Sequence, residues 1–580
     1  MNSRLRRVLP LSFLALALPS IAGAQSLPPA PAPIISDTAR VLPARARSGM
    51  VASQEARATR VGVDILRRGG NAVDAAVAVG FALAVTLPRA GNLGGGGFML
   101  VHRAAEKDTI AIDYRETAPT AASATMFLNE KGEPVPQKSR DSGLAVGVPG
   151  TVRGLAQAHR AYGSGTFTLA ELIAPAIALA RDGIPVENDL ADSLASAGRL
   201  AAHAPTRAIF YRDNKPLQAG DHLVQADLAA TLSAIAASGP DAFYRGPIAD
   251  RIAAAVRSLG GVMTAKDIAG YTVVERKPVT GSYRGYDIAS MPPPSSGGVH
   301  LIQILNILEG FDLKGAGAGS ADTLHVLAEA MKPAYADRAA FLGDPDRVKV
   351  PVRGLTAKSY AMLQRGDINP FRARSAAEVR AGNPLPHESD QTTHFSVVDR
   401  HGNAVANTYT LNFSYGVGLV AEGTGVLLNN EMDDFSAKPG AQNAYGLVGS
   451  DANSVSPGAR PLSSMTPTFL FRDGRLVLVT GSPGGSRIIT TTLQVISNVV
   501  DHGMNIAEAV AAPRIHHQWQ PDVLLVESGL SPDTIRLLEA KGQRVRPGAT
   551  SGSASSIVVT AHGLEGAADP RQRGTLAEGY

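Results

Sequence analysis

The sequence predicts an α/β (α+β) protein in which helical layers cover antiparallel strands. Three observations carry that expectation. Apolar residues recur at three- and four-residue spacing in blocks early in the chain, near 54–86, 149–184 and 226–259. Beyond residue 392, short β-branched and aromatic runs separated by Gly-containing turns become frequent. No internal repeat is evident, so a solenoid is not expected and stacked layers around a shared core are.

Composition narrows the classes further. With 44% hydrophobic and 18% charged residues the chain reads as an ordinary globular protein rather than a disordered or fibrous one. Its 580 residues allow two to four domains, or one large sandwich fed by both halves of the chain. No cysteine is present, which excludes a disulfide framework, a thiolate nucleophile and a Cys-ligated metal. Arg4, Arg6 and Arg7 precede the apolar run Val8 to Ile21, and Ala22-Gly23-Ala24 has the small-x-small form of a signal-peptidase site. Cleavage after Ala24 and export, to the periplasm or beyond, are expected. Pro10 and Pro19 interrupt the run, which falls short of the roughly 20 residues a bilayer span needs, so no membrane anchor is expected. The leader supplies three of the positive charges behind a net +4, and no basic stripe with interleaved aromatics remains to suggest a nucleic-acid partner.

After the Pro-rich stretch 28–33, a helix is predicted from Gln54 to Arg68, stopped by Gly69-Gly70. Asn71 with Asp74 resembles a capping box for a second helix to Thr86, apolar on nearly every side and therefore expected to be buried against a sheet. Gly94 to Gly97 leads into a strand rather than a helix and lacks a following Gly-Lys-Ser/Thr, so a close-packed turn is expected in place of a phosphate cradle. Strands 98–101 and 110–114 should pair. The periods then predict scaffold helices, one strand over 279–288, and helices 299–308 and 322–341. Late in the chain, strands 469–471 and 476–480 precede a turn, Gly481 to Ser486, and a helix 487–501. Helices 506–512 and 533–541 and strands 524–527 and 556–560 complete it.

The stretch Asp390 to Asp399 opens a strand directly after the polar, Pro-containing segment 383–389, which suits an exposed loop. If the Gln391–Thr392 bond is cut, Thr392 gains a free α-amino group to serve as base for its own hydroxyl. Arg400-His401-Gly402 fits a three-residue hairpin loop with Gly in the left-handed position. That register sets Thr392 opposite Thr410 with Asn412 on the same face, whereas a two-residue His401-Gly402 turn would set Leu411 there instead.

Other candidates follow from chemistry. Gly484-Gly485 at a helix start can offer two backbone N–H groups to an oxyanion. Ser463-Ser464 suits either a carboxylate or a capped turn, and Glu431-Met432-Asp433-Asp434 an ammonium, a metal or a solvated turn. His516-His517 would point to opposite strand faces, which disfavours joint ligation of a metal.

Five blocks in order, 391–399, 408–412, 429–435, 461–465 and 481–487, together with 69–76 and 113–119, resemble the γ-glutamyltranspeptidases (glutathione hydrolases) from about Gly49 to Tyr580. The resemblance implies a four-layer αββα sandwich of the N-terminal-nucleophile hydrolase type, made as one precursor. Beyond the signal peptide 1–24 read from the leader itself, it implies a large chain 25–391 and a small chain 392–580 that remain together as a heterodimer. Thr392 would be the nucleophile, Thr410 would position its hydroxyl, and Gly484 and Gly485 would form the oxyanion hole. Arg115, Ser463 and Ser464 would hold the substrate α-carboxylate, and Asn412, Glu431 and Asp434 the α-ammonium. Tyr445 resembles a lid residue. The implied donors are glutathione and other γ-glutamyl compounds, and the implied acceptors are water, amino acids and peptides. No metal or cofactor is implied. A related acylase acting on glutaryl-type groups, and an inactive binding protein of the same fold, are the alternatives.

Overall fold

In a computed structural model, residues 41–382, 393–438, 440–441, 447, 451–548 and 552–580 are described. All architecture below lies in one unit, Leu42–Tyr580. In chain order its first half supplies β1 (Ala44–Ala46), β2 (Met50–Ser53), α1 (Ala56–Arg67), α2 (Ala72–Thr86), β3 (Gly96–Arg103), β4 (Asp108–Tyr114), α3 (Thr151–Tyr162), α4 (Leu169–Asp182), α5 (Ala226–Ser238) and α6 (Pro247–Ser258). There follow β5 (Val274–Arg276), β6 (Val279–Tyr283), β7 (Tyr286–Ser290), α7 (Gly297–Leu308), α8 (Ala321–Phe341), β8 (Thr393–Val398) and β9 (Ala404–Thr410). The last part adds β10 (Thr468–Arg472), β11 (Arg475–Thr480), α9 (Arg487–Val500), α10 (Ile506–Ala511), β12 (Ser555–Thr560), β13 (Gly563–Ala568) and β14 (Leu576–Gly579).

These strands form two antiparallel seven-stranded sheets, in the orders β14-β2-β8-β9-β3-β4-β5 and β1-β13-β12-β11-β10-β7-β6. The sheets face one another across an apolar layer to which Met50, Phe98, Leu100, Val398 and Ala406 contribute from the first sheet and Phe469, Val479 and Ile557 from the second. Strand alternation sends Phe395, Val397, Val405 and Tyr409 to the opposite side, where they pack with Val77 and Phe81 of α2 in a helical layer. The second sheet is covered by α7, α8 and α9, which bring Leu301, Leu305, Met331 and Leu493 against Leu470 and Leu478. The order is helix, sheet, sheet, helix, as the family resemblance implies.

Local chemistry sets several elements. Asn71 Oδ1 accepts from the N–H groups of Val73 and Asp74 at 3.0 Å each while Asp74 Oδ2 accepts from Asn71 N–H at 3.0 Å, closing the expected capping box. Every residue of α2 is buried. Gly94 to Gly97 is a packed turn: a Cβ would overlap the carbonyl oxygen of Leu427 at Gly94, of Thr410 at Gly95, of Tyr114 at Gly96 and of Thr408 at Gly97. Backbone atoms cannot swing aside as side chains do. Where one strand is expected over 279–288, the structure has the hairpin β6–β7, because Arg284 (φ 47°) and Gly285 (φ 83°) make a two-residue turn between Tyr283 and Tyr286. The short strands β2, β13 and β14 carry too little periodicity to be read from sequence and are defined by their sheet neighbours.

Gly95→Ala is expected to cost about 1–3 kcal/mol of stability, the usual range for forcing extra volume into a packed interior. Denaturant unfolding of the variant against the parent chain measures it.

Candidate active site

The site forms where β8 begins, β9 ends and β11 ends. Pairing runs unbroken from Val398↔Ala404 to Thr393↔Tyr409. Asp399 N–H donates to Asn403 O at 3.0 Å and Gly402 takes φ 83°, so the loop is the three-residue form. Thr410, the next residue of β9, lies one step beyond the last described pair of this register. Gln391 and Thr392 themselves lie outside the described residues, as does Tyr445. The face shared by Ala404, Ala406, Thr408 and Thr410 looks between the sheets and turns polar toward the strand end. There His394 Nδ1 bonds Thr408 Oγ1 at 2.9 Å, its Nε2 bonds Ser396 Oγ at 3.1 Å, and Ser396 Oγ donates to Ser555 O on the facing sheet at 2.8 Å. Burial pushes the His394 imidazole down to about 3, so it stays neutral and acts as a hydrogen-bonding spacer.

Thr410 Oγ1 accepts from Asn412 N–H at 2.8 Å, and Asn412 Nδ2 donates to Asn430 O at 2.9 Å. Asn412 has φ 70°, which ends the strand and which Asn tolerates better than most residues. Across the interlayer, Gly481 has no room for a side chain because the His394 ring fills that space. The loop then passes through Gly484 at φ 131° and Gly485 at φ 68° before α9 opens. Both values lie in the positive-φ region that favours glycine, so backbone shape accounts for these residues before any catalytic role is considered. Thr410, Asn412 and Gly484 together wall a cleft of about 960 Å³ that Gln54, Arg89, Asp189 and Gln572 also line.

Arg115, Glu431 and Asp434 meet in one fully buried cluster. The Arg115 guanidinium donates from Nη1 to Glu431 Oε1 and from Nη2 to Asp434 Oδ2, and further to the carbonyls of Pro461 and Leu462 at 3.0 Å each. Its backbone is fixed as well, by Asp113 Oδ1 on its N–H at 3.0 Å and Tyr271 Oη on its carbonyl at 2.7 Å. Asn429 brings the acidic loop to it, donating to the carbonyls of Gly94 and Gly147 at 2.8 Å each and accepting from Glu431 N–H at 3.0 Å. Asp433 turns away to Ser139 and Arg140. The Ser463 and Ser464 hydroxyls bond elsewhere: Ser464 Oγ accepts from Arg338 Nη2, and Ser463 Oγ from Met465 N–H at 3.1 Å. His516 bonds Thr490 Oγ1 at 2.9 Å while His517 lies 3.4 Å from Asp522. Among the described residues no cluster of three or more His, Cys, Asp or Glu side chains is arranged to hold a metal.

Two members of this neighbourhood escape sequence reasoning. Glu116 is fully buried 3.9 Å from Arg115 Nη1, packed against Gly96 and Gly147, and only its place inside the block 113–119 hinted at a role. Arg338 sits in the last turn of α8, donating to Ser296 Oγ at 3.0 Å and to Ser464, and nothing in the local sequence marks it for the site. One guanidinium thus faces three carboxyl groups. Desolvation pushes Glu431 well above the carboxylate range against the pull of Arg115, and raises Glu116 to about 7.

Two facing antiparallel sheets between helical layers, with a strand head opening on a cleft, define the class of the N-terminal-nucleophile hydrolases. The class is borne out by solved structures. A cephalosporin acylase from Bacillus halodurans superposes with TM-score 0.82 at 27% identity over 96% of this chain and 99% of that one. The γ-glutamyltranspeptidase of Helicobacter pylori does so with TM-score 0.57 at 44% identity, over 58% of this chain and 96% of that one. The chain belongs to the γ-glutamyltranspeptidase family, whose model matches residues 58–579. It is 55% identical to the glutathione hydrolase proenzyme of Escherichia coli K12, covering 99% of each chain, and 40% identical to the acylase ACY 1 proenzyme of a Pseudomonas strain, covering 94% and 96%.

Glu116 generates a pH prediction. Its carboxyl is raised from an ordinary 4.5 to about 7, so its contribution to stability is complete below about 4.5 and disappears as pH rises through about 7. Glu116→Gln removes that dependence. The melting temperature of the variant minus that of the parent should therefore increase from pH 5 to pH 8, and a difference that stays constant would contradict the assignment.

Proposed function

We propose that this protein is an exported, self-processing γ-glutamyltransferase and glutathione hydrolase with Thr392 as nucleophile. Thr392 attacks the Gln391 carbonyl, the acyl group moves from nitrogen to oxygen, and hydrolysis of the ester leaves a large chain 25–391 and a small chain 392–580. The two products stay together because both sheets mix their strands: β8 and β9 lie between β2 and β3 in one, and β10 pairs with β7 in the other. In the mature form the α-amino group of Thr392, titrating near roughly 7.7–8.0, takes the hydroxyl proton as the γ-carbonyl is attacked. Thr410 positions the hydroxyl, and the N–H groups of Gly484 and Gly485 stabilise the oxyanion. The γ-glutamyl ester then passes to water or to the amine of an amino acid or peptide.

The observation that carries the substrate assignment is the Arg115–Glu431–Asp434 cluster. A γ-glutamyl group brings an α-carboxylate and an α-ammonium together. Inserted there, its carboxylate takes the guanidinium, with Ser463 and Ser464 beside it, and its ammonium takes Glu431, Asp434 and Asn412. Every charge exchanges one opposite partner for another. The ammonium also offsets the excess of carboxyl groups around Arg115. Tyr445 is assigned to the cover of this pocket.

The structural likeness to a cephalosporin acylase favours one second reading, cleavage of glutaryl amides. A glutaryl group lacks the ammonium and would add a carboxylate to a site already rich in them, so the γ-glutamyl reading is preferred.

Thr392→Ala should run as a single chain on a denaturing gel where the parent gives two, and two bands from the variant would refute self-cleavage. Arg115→Lys should still mature but lose roughly 100-fold or more in γ-glutamyl turnover, since a point charge replaces a fork that aligns the substrate. Anilide substrates compare the two readings: faster hydrolysis of the γ-glutamyl compound supports the first, and faster hydrolysis of the glutaryl compound the second. N-terminal sequencing of both chains tests export and the cut together.

A further inference from the structure

The β2–α1 corner lies on the opposite flank of β8 from Thr410. β2 pairs with β8 at Ser396↔Ala52, Val397↔Val51 and Val398↔Met50, and backbone pairing stops there. Beyond it a side chain closes the gap. Thr393 Oγ1 donates to Gln54 Oε1, and Gln54 Nε2 donates to Gln572 Oε1 at 2.6 Å. Gln54 is only 3% exposed, yet it borders the same cleft as Thr410 and Gly484. Its neighbours hold it rigidly: Ser53 Oγ bonds Thr59 Oγ1 at 2.7 Å, and Glu55 caps α1 through Ala58 N–H at 2.9 Å.

We propose that Gln54 is a positioning residue for the nucleophile, anchoring the head of β8 through Thr393 and tying it to the cleft wall at Gln572. The proposal rests on the reading of Thr392 as nucleophile. Successive strand residues point to opposite faces, so the anchor on Thr393, paired with Tyr409, lies on the face turned away from the Thr410 side chain and leaves that side open to substrate. Before self-cleavage the chain is tethered on both sides of Thr392. Afterwards the residue is a chain end, and strand ends fray unless tied down. The Thr393–Gln54 bond replaces the lost tether at the residue next to the reacting amine and hydroxyl, where misplacement by about 1 Å can cost 100-fold in rate. Gln54 should therefore matter more to turnover by the mature enzyme than to the cut that produces it.

The test uses mature enzyme from Gln54→Ala, Thr393→Val, the double variant and Gln54→Glu, with a γ-glutamyl anilide as donor. Each single variant is expected to lower kcat at least 10-fold with KM within about twofold of the parent, and the double variant to lose no more than the worse single one. Gln54→Glu brings a carboxylate toward the α-amino group, so the acid limb of its kcat profile is expected to move to higher pH, a readout that loosened packing alone would not shift. An unchanged kcat, losses that multiply in the double variant, or a Gln54→Glu limb superposed on that of the parent each overturns the positioning role. These outcomes are read against a parent enzyme that is cut and active. A parent chain that stays whole and inactive overturns the reading of Thr392 beneath it.

Discussion

The pairing of β8 with β9 at the centre of a seven-stranded sheet constrains everything around it. A central strand is flanked on both sides, so only its end is open to a substrate, and the neighbouring elements are shaped to keep that end clear. The Gly94–Gly97 turn lets β3 approach β9 with no side chain between them and the Thr410 and Thr408 carbonyls. Asn92 Nδ2 then holds the Thr410 carbonyl at 2.8 Å. On the facing sheet, Gly481 yields its side-chain space to His394, which keeps the loop after β11 beside the strand head. The glycines at the site answer first to close backbone approach, and the open cleft follows from it.

A second constraint is electrostatic. Burying Arg115 with several carboxyl groups removes strongly hydrated charges from water, and such clusters are often less stable than an apolar replacement. The cluster is supported rather than loose: Asp113 anchors the Arg115 backbone and is itself held by Arg276 Nε at 2.8 Å, with Arg460 at 3.4 Å. A stiff, dry arrangement of both charge signs is a poor device for stability and a suitable one for a zwitterionic group, whose two charges match it when they enter together. Under the proposed function, specificity for a substrate carrying both charges is the return for that destabilisation.

The legible parts of the chain were those whose causes are local. Asn71 and Asp74 close a capping box within four residues, and the hairpin loop at 400–402 is set by one glycine at positive φ, so its register could be counted outward as far as Thr393 and Tyr409. The nearly all-apolar α2 announced a buried helix. The hairpin turn Arg284-Gly285 was hidden inside a β-like run, because nothing local distinguishes two paired short strands from one longer one without the partner in view. Strands such as Met50–Ser53 are too short to carry a period, and that one gains its meaning only by lying against β8.

By itself the sequence pointed to the candidate nucleophile, the glycine loop, the acidic run and the longer helices, since each depends on residue type and near spacing, whereas Arg115 entered only through the resemblance of the block that contains it. Which of these groups touch was decided by the tertiary structure. Arg115 and Glu431 are 316 positions apart, Arg338 and Ser464 are 126, and Gln54 and Thr393 are 339. No local pattern encodes such distances. They are fixed when two sheets twist and close over one core, and the partners of a charged or polar side chain are whatever that closure brings within hydrogen-bonding reach.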